Sequence, residues 1–207
     1  MHSTHQAVEE SLPILSKFSS GDGVDRMQET PLKKHITKIH PDIYKVPLFR
    51  RKFCKMLVDE IKTMKFQANE EEDELRQIPE IVLRDQVPEL YRNMWFVVQT
   101  VLNPIIYSIW QRNCSNIGSV QIAAWHHDES ADISVVIPLN TGKYKGGGTE
   151  FHNYGEVKPL PTGHALIFPS FTHMHKGLPV EMGDRYLLVF WLYDRKRMEW
   201  LLANGSP

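Results

Sequence analysis

Two stretches in the first half of the chain carry apolar side chains at helical spacing. They run from about Pro47 to Lys65 and from about Pro88 to Trp110, each with an apolar stripe along one side. Pro47 suits the first turn of a helix, whereas Asn103-Pro104 should kink or split the second helix. We expect both helices to act as scaffold, with their aromatic and methionine side chains in the core.

The pattern changes after about Asn116, where short apolar or alternating runs are separated by turn residues. The runs that predict strands are Val120–Trp125, Ile133–Leu139, Thr149–Asn153, Ala165–Phe168 and Tyr186–Tyr193. Turns are expected between them at Gly146-Gly147-Gly148, Pro159–Gly163 and Glu181–Asp184. Short strands bounded by Gly and Pro favour a β-sandwich or barrel. The predicted class is therefore α+β, with the helices first and the strands after them.

The rest of the chain is mostly polar. Residues 1–30 are rich in Ser, Gly, Asp and Glu, and the run NEEEDE at 69–74 is typical of a solvated acidic loop. We therefore predict a mobile N-terminal arm at 1–35 and a single domain at 36–207. Within that domain, residues 45–112 are expected to be helical support and residues 116–195 the β-core.

Composition narrows the classes of function. The chain has 207 residues, of which 42% are hydrophobic, as in a globular domain. A net charge of −1 argues against a protein that coats nucleic acid or an anionic membrane. There is no secretory signal and no apolar run of membrane-spanning length, so we expect a cytoplasmic protein. Cys54 and Cys114 are expected to be free thiols.

Candidate metal ligands follow the first predicted strand. His126, His127 and Asp128 come in the order H-H-D, and side chains two apart on a strand share a face. His126 and Asp128 can therefore converge on one ion, and a further imidazole can come from His173 or His175. Two histidines and one carboxylate leave positions open on a metal, as in non-haem Fe(II) oxygenases. Arg185, which follows, is suited to bind a carboxylate in a bidentate manner.

These motifs resemble the catalytic core of the Fe(II)/2-oxoglutarate-dependent dioxygenases. The matching runs are WHHDESADISVVIPLN, YKGGGTEF, VKPLPTGHALIFP and THMHKGLPVEMGDRYLLVFWL. The procollagen lysyl hydroxylases are the most similar family, and the prolyl 4-hydroxylases come next. The shared features are the paired histidines, the GGG before a Phe, and H-x-GLP followed by G-x-RY. The resemblance covers roughly residues 45–195 and is strong over 126–190.

The resemblance implies a role for each matching residue. His126, Asp128 and His175 would be the iron ligands, and Arg185 would bind the distal carboxylate of 2-oxoglutarate. His175 is preferred over His173 because it directly precedes the run KGLP. Arginine at position 185 argues against the collagen prolyl 4-hydroxylases, which are expected to carry lysine there. The implied fold is a double-stranded β-helix, similar to a jelly roll or cupin, preceded by the supporting helices.

The activity implied by the resemblance is hydroxylation of a C–H bond, with release of succinate and CO2. Its cofactors would be Fe(II), 2-oxoglutarate as cosubstrate, and O2, with ascorbate as a further candidate. A lysyl side chain of a protein or peptide is the first choice of substrate, and a prolyl side chain is the second. We see no signal peptide, glycosyltransferase domains or cysteine-rich pattern, so we expect a stand-alone microbial or viral enzyme. The oligomeric state stays open.

Several alternatives remain at this point. The same chemistry could act on a free amino acid, another small molecule or a nucleic-acid base, although the charge counts against the last. A non-catalytic cupin-like metal-binding module is also possible, but it would need no carboxylate anchor such as Arg185. His127, Trp125 and Ser134 are weaker site candidates, each with an equal or better structural explanation. The run Gly146–Gly148 is expected to form a tight turn or bulge and not a phosphate site, because no helix follows it.

Overall fold

The fold is described from a computed structural model of the chain. The structure describes residue 12 and residues 34–68, 79–123 and 131–204. The predicted acidic loop at 69–74 and nearly all of the predicted arm at 1–35 lie outside these ranges. His126, His127, Asp128 and Trp125 lie outside them as well.

The first part of the described chain mixes strands with helices. Strands β1 (Thr37–His40) and β2 (Ile43–Pro47) form a hairpin, and helix α1 (Arg51–Ile61) follows. Short strands β3 (Gln67–Ala68) and β4 (Pro79–Val82) come next. The last elements before the β-rich part are α2 (Leu83–Gln86), α3 (Pro88–Val97), a π-helical turn (Val98–Leu102) and α4 (Asn103–Trp110).

The second part consists of strands and one terminal helix. The longer strands are β5 (Asn116–Ala123), β6 (Ile133–Pro138), β10 (His164–Pro169) and β13 (Leu187–Tyr193). The shorter strands are β7 (Lys145–Gly146), β8 (Thr149–Phe151), β9 (Gly155–Val157), β11 (His175–Gly177) and β12 (Val180–Met182). Helix α5 (Arg195–Asn204) follows β13. The mixture of helices and sheets confirms the predicted α+β class.

The strands form one large antiparallel sheet and smaller ones. The large sheet has the order β1-β2-β10-β6-β13-β5-β4-β3, and the smaller sheets have the orders β11-β8-β9 and β12-β7. In the middle of the large sheet, β13 pairs with both β6 and β5. The hairpin β1–β2 extends the sheet at one edge through β10, and β4 and β3 extend it at the other.

Alternation along the central strands divides the core into two layers. Ile133, Val135 and Ile137 of β6 pack with the helices in the main apolar cluster. The intervening Val136 packs instead against a second cluster, which joins the large sheet to the strands β8 and β9. Because successive side chains on a strand point to opposite faces, the large sheet is covered by helices on one face and by the small sheet on the other.

The predicted helices exist, but the first is shorter than expected. It begins at Arg51 and ends at Ile61, while Pro47 is the last residue of β2, where it pairs with His164. The segment before Arg51 is extended because Ile43 and Val46 are fully buried there and because its backbone hydrogen-bonds to the neighbouring strand β10. Proline fits the end of such a strand because it lacks an N–H.

The second predicted helix is interrupted as expected. Between α3 and α4 the N–H of Asn103 bonds to the carbonyl of Val98, which is a π-type turn directly before Pro104. Proline cannot donate the usual helical hydrogen bond and its ring crowds the preceding turn, so local widening of the helix accommodates it. The predicted kink or split at Asn103-Pro104 is thus confirmed.

The two cysteines are free, as predicted, and both are buried. Burial raises the pKa of Cys54 to about 12, and burial together with Asp194 and Asp132 raises the pKa of Cys114 to about 12. Both thiols are therefore protonated and unreactive at neutral pH. No helix within the described ranges is long and apolar enough to cross a membrane.

Candidate active site

His175 lies at the start of the small-sheet strand β11, where it pairs with Phe151 of β8. Its ring is 4.5 Å, centroid to centroid, from the ring of Phe168 and 5.7 Å from that of Phe151. Phe168 comes from β10 of the large sheet, and both phenylalanines are fully buried. The imidazole of His175 is therefore held against aromatic side chains from both sheets, which keep water away from one of its sides.

One hydrogen bond determines which nitrogen of His175 carries the proton. Its Nδ1 is 2.7 Å from the backbone carbonyl oxygen of His173. A carbonyl can only accept, so Nδ1 must be the protonated donor, and in the neutral ring the lone pair is then on Nε2. This is the arrangement found in metal-binding histidines, whose second nitrogen is bonded to a carbonyl or carboxylate.

His173, the other histidine that the sequence pattern offered, has both ring nitrogens engaged. Its Nε2 is 3.1 Å from the carbonyl oxygen of Pro41, and its Nδ1 is 3.0 Å from the Thr172 hydroxyl. It lies in the turn before β11 and not on the strand itself. Neither ring nitrogen of His173 is therefore available to a metal in this arrangement.

Arg185 directly precedes Tyr186 and β13, and its guanidinium lies between the GGG run and the segment after β11. Its Nη1 is 3.4 Å from the carbonyl oxygens of both Gly148 and Leu178, which are long hydrogen bonds. Its Nε is buried and has no hydrogen-bond partner among the described residues. Burial lowers the pKa of Arg185, and nearby Tyr144 partly offsets this effect. A buried donor without a partner is unfavourable, and an anion bound there would satisfy it.

A pocket opens beside this guanidinium. Its walls come from the large sheet, the GGG segment and the loop after β9, and they include Val136, Tyr144, Thr149, Lys158, Arg185 and Leu187. Its cavity volume is about 30 Å³. The pocket is therefore a narrow cleft next to the guanidinium.

The glycine run forms one wall of this pocket through its backbone. Gly146, Gly147 and Gly148 all have positive φ, at 73°, 70° and 120°. A Cβ on Gly147 would come within 2.9 Å of Nη1 of Arg185, and one on Gly148 within 2.8 Å of the carbonyl oxygen of Val157. The run therefore serves a tight chain path, as predicted, and it also makes room for the guanidinium, which the sequence alone did not indicate.

Gly147→Ala is expected to weaken anion binding at Arg185 by about tenfold and to destabilise the fold by about 1–3 kcal/mol, because it adds backbone strain as well as a clash. Gly142→Ala is the matched control: its φ is 91°, but a Cβ there would meet nothing within 4 Å. It should lose stability from strain and keep its affinity. Thermal unfolding and 2-oxoglutarate affinity of the two variants check this, and equal affinities would contradict it.

Ser134, a weaker candidate from the sequence, is fully buried on β6. Its hydroxyl is 2.6 Å from the hydroxyl of Ser170, which follows β10. This bond ties the large sheet to the start of the turn that carries His173 and leads to His175. A role for Ser134 in the site remains a prediction.

Of the four predicted site residues, the structure describes His175 and Arg185. Nη1 of Arg185 is 3.4 Å from the carbonyl oxygen of Leu178, which lies three residues beyond His175 in the chain. His126 and Asp128 lie outside the described residues, and the described residues alone contain no group of three metal-binding side chains. Sequence reasoning missed Tyr144, Thr149 and Lys158 as pocket residues, although Tyr144 and Thr149 lie in the YKGGGTEF motif.

The amino-acid sequence is similar to that of a procollagen lysine hydroxylase. No family model matches the chain. The multifunctional procollagen lysine hydroxylase and glycosyltransferase of Caenorhabditis elegans is 26% identical over 174 residues, which cover 73% of this chain and 24% of the relative. The chain therefore spans about a quarter of the length of this curated relative.

Solved structures share the fold. An oxidoreductase of the 2OG-Fe(II) oxygenase family from Burkholderia pseudomallei has a TM-score of 0.56 at 14% identity, covering 75% of this chain and 89% of its own. A prolyl hydroxylase from Trichoplax adhaerens, in complex with a hypoxia inducible factor peptide fragment, has a TM-score of 0.56 at 16% identity, covering 80% of this chain and 88% of its own.

The fold is therefore that of the 2OG-Fe(II) oxygenases. Within this class, the sequence similarity is to procollagen lysine hydroxylases. The resemblance predicted from the sequence motifs is therefore confirmed both for the 2OG-Fe(II) oxygenase fold and for the similarity to procollagen lysine hydroxylases.

Proposed function

We propose that this protein is an Fe(II)- and 2-oxoglutarate-dependent hydroxylase that acts on a lysyl side chain of a polypeptide. The observation that carries the proposal is Arg185, a guanidinium that lies beside a narrow cleft and whose buried Nε has no hydrogen-bond partner among the described residues. A non-catalytic metal site would not need this cation. The two facing sheets would form the two halves of a double-stranded β-helix around the site.

Arg185 would bind the distal carboxylate of 2-oxoglutarate. Its planar fork matches a carboxylate in a bidentate manner, and a partly desolvated ion pair is stronger than an exposed one. Val136 and Leu187 line the same pocket and give it an apolar wall that suits the methylene carbons. Thr149 offers a hydroxyl that could bond the cosubstrate.

His126, Asp128 and His175 would hold the iron. The donor set fits Fe(II), since imidazole and carboxylate are its usual ligands, and His175 already has the tautomer that leaves its lone pair on Nε2. When bound, Fe(II) and 2-oxoglutarate supply the oxidising chemistry, with O2 consumed and succinate and CO2 released. Phe151 and Phe168 would exclude water from one side of His175, and ascorbate is expected to sustain turnover.

The substrate class rests on the comparisons. The Caenorhabditis elegans relative is named for lysine hydroxylation of procollagen, and the Trichoplax adhaerens structure contains a bound peptide. A lysyl residue in a polypeptide is therefore our first choice. A prolyl residue is the second, because the structural neighbours include prolyl hydroxylases.

An anaerobic titration of the apoprotein with Fe(II) and 2-oxoglutarate tests the cofactors without knowledge of the substrate. We expect a weak visible charge-transfer band that requires both components. Succinate release should then rise with lysyl peptides more than with prolyl peptides or free lysine. A band with peptide-independent turnover would refute the substrate class, whereas no band and no iron binding would favour a non-catalytic module.

A further inference from the structure

We propose that His173 is a positioning residue that fixes the orientation of His175 by anchoring the turn before it to the hairpin β1–β2. The inference rests on the proposed function, because it takes His175 as a metal ligand. The hairpin is remote from His173 in sequence and lies outside the motifs that resemble the dioxygenases.

The ring of His173 makes two hydrogen bonds that agree on a single tautomer. The carbonyl of Pro41 can only accept, so Nε2 of His173, at 3.1 Å, is the protonated donor. Its Nδ1 then carries the lone pair and accepts from the Thr172 hydroxyl at 3.0 Å. Nδ1, which carries the lone pair that could bind a metal, is thus occupied by Thr172 within the turn. Nε2 joins the turn to the hairpin through Pro41.

Aromatic packing holds the ring in the same place. The ring of Tyr154 stacks on His173 at 5.7 Å and on His40 of β1 at 5.4 Å. His40 and Pro41 belong to the hairpin, whereas Tyr154 belongs to the turn between β8 and β9. The hairpin, the small sheet and the turn of His173 therefore meet in one stack of rings.

The anchored residue then acts on His175 through its backbone. The carbonyl oxygen of His173 accepts the Nδ1 proton of His175 at 2.7 Å. Because the side chain of His173 is anchored, the backbone of His173 has little freedom to rotate. Its carbonyl oxygen therefore stays directed at Nδ1 of His175. Fixing Nδ1 as the donor fixes both the direction and the basicity of Nε2, as outer-shell partners of metal-binding histidines do.

The alternative is that the stack is only structural and supports the turn without affecting the site. Phe171 and Met174 in the same turn are each 75% exposed, so the turn has few other buried side chains that could hold it. A structural role would change stability alone. A positioning role must also change the metal affinity and the tautomer of His175.

Two measurements on the full-length protein separate these roles. Anaerobic Co(II) titration reports the affinity of the site, and long-range ¹H–¹⁵N NMR of the metal-free protein reports the tautomer of His175. We expect His173→Ala to weaken Co(II) binding by about tenfold, within the range for outer-shell changes. The same variant should convert His175 from the Nδ1–H form to a mixture of tautomers.

Two further variants sharpen the test. His173→Phe keeps an aromatic ring for Tyr154 but cannot donate to Pro41, so its affinity should lie between those of the unaltered protein and His173→Ala. His152→Ala is the matched control, because His152 is an exposed histidine in the turn after β8. It should leave both the affinity and the tautomer unchanged.

Three outcomes would overturn the proposal. Unchanged affinity and tautomer in His173→Ala would leave the stack a purely structural role. Loss of Co(II) binding in His173→Ala with retention in His175→Ala would make His173 the ligand. If the unaltered protein binds no Co(II), the proposed function itself fails at its metal site, and this result is distinct from the other two.

Discussion

His175→Ala is expected to abolish iron-dependent turnover and to weaken Fe(II) binding by more than about 100-fold. Changes to outer-shell partners of metal ligands already cost about 10- to 100-fold, and loss of a ligand should cost more. The fold should survive, since His175 is only half-buried at the start of a short strand. Iron content after anaerobic loading and succinate release measure the effect.

The neighbouring histidine provides the comparison. His173→Ala should retain measurable iron binding and turnover, because its ring is bonded to Pro41 and Thr172. His126→Ala and Asp128→Ala should behave like His175→Ala. Full iron-dependent activity in His175→Ala would show that its imidazole is not a ligand, whatever the behaviour of the other variants.

Much of the central sheet could be predicted from the alternation of apolar residues. The predicted strand Ile133–Leu139 corresponds to β6, and Tyr186–Tyr193 corresponds to β13. These strands are buried on both faces, so their apolar runs are long and their limits are marked by turn residues. The segments at 165–168 and 149–153 were also placed correctly, within one or two residues at each end.

The edges of the sheet could not be predicted in this way. In β1 the residues Thr37 to His40 are exposed or half-buried, so the strand has little apolar pattern of its own. It forms because the neighbouring strand β2 pairs with it and with β10. Helix α5 was not predicted for a similar reason, since four of its ten residues are charged and its apolar residues Trp200 and Leu202 are exposed.

In the site, as in the sheet, local sequence spacing predicts some features, whereas contacts between residues distant in sequence decide the others. The H-x-H spacing of His173 and His175 places both on one face of an ideal strand, so spacing alone does not separate them. They differ because the strand begins only at His175, while His173 bonds to Pro41 in a hairpin that is distant in sequence. The contact between Gly147 and Arg185 is likewise set by how the segments before and after β11 pack together.

In the proposed function, Arg185 serves binding at the expense of stability. Burial lowers its pKa, which means that folding disfavours its charged form, and its Nε has no partner among the described residues. Without a bound anion the buried charge is therefore unfavourable for the folded protein, because a desolvated charge is costly unless a partner compensates it. We propose that a carboxylate bound in the pocket offsets this cost.

Arg185→Met should therefore affect stability and ligand affinity in opposite directions. We expect the melting temperature of the apoprotein to stay the same or rise, while affinity for 2-oxoglutarate falls by about 100-fold or more, because the buried carboxylate loses its charged partner. Arg185→Lys keeps the charge but not the bidentate fork, so its affinity should fall less. Arg84→Met, at an exposed arginine, is the control and should change neither quantity.

Thermal unfolding with and without 2-oxoglutarate, in the presence of Mn(II) to prevent turnover, measures both effects in one experiment. A ligand that binds only the folded state stabilises it by RT ln(1 + L/Kd), where L is the ligand concentration, so the melting temperature rises as the ratio of ligand concentration to Kd increases. The unaltered protein should show this rise and Arg185→Met should not. A variant that is less stable as apoprotein yet keeps the full rise would show that Arg185 supports the fold and that the carboxylate is bound elsewhere in the pocket.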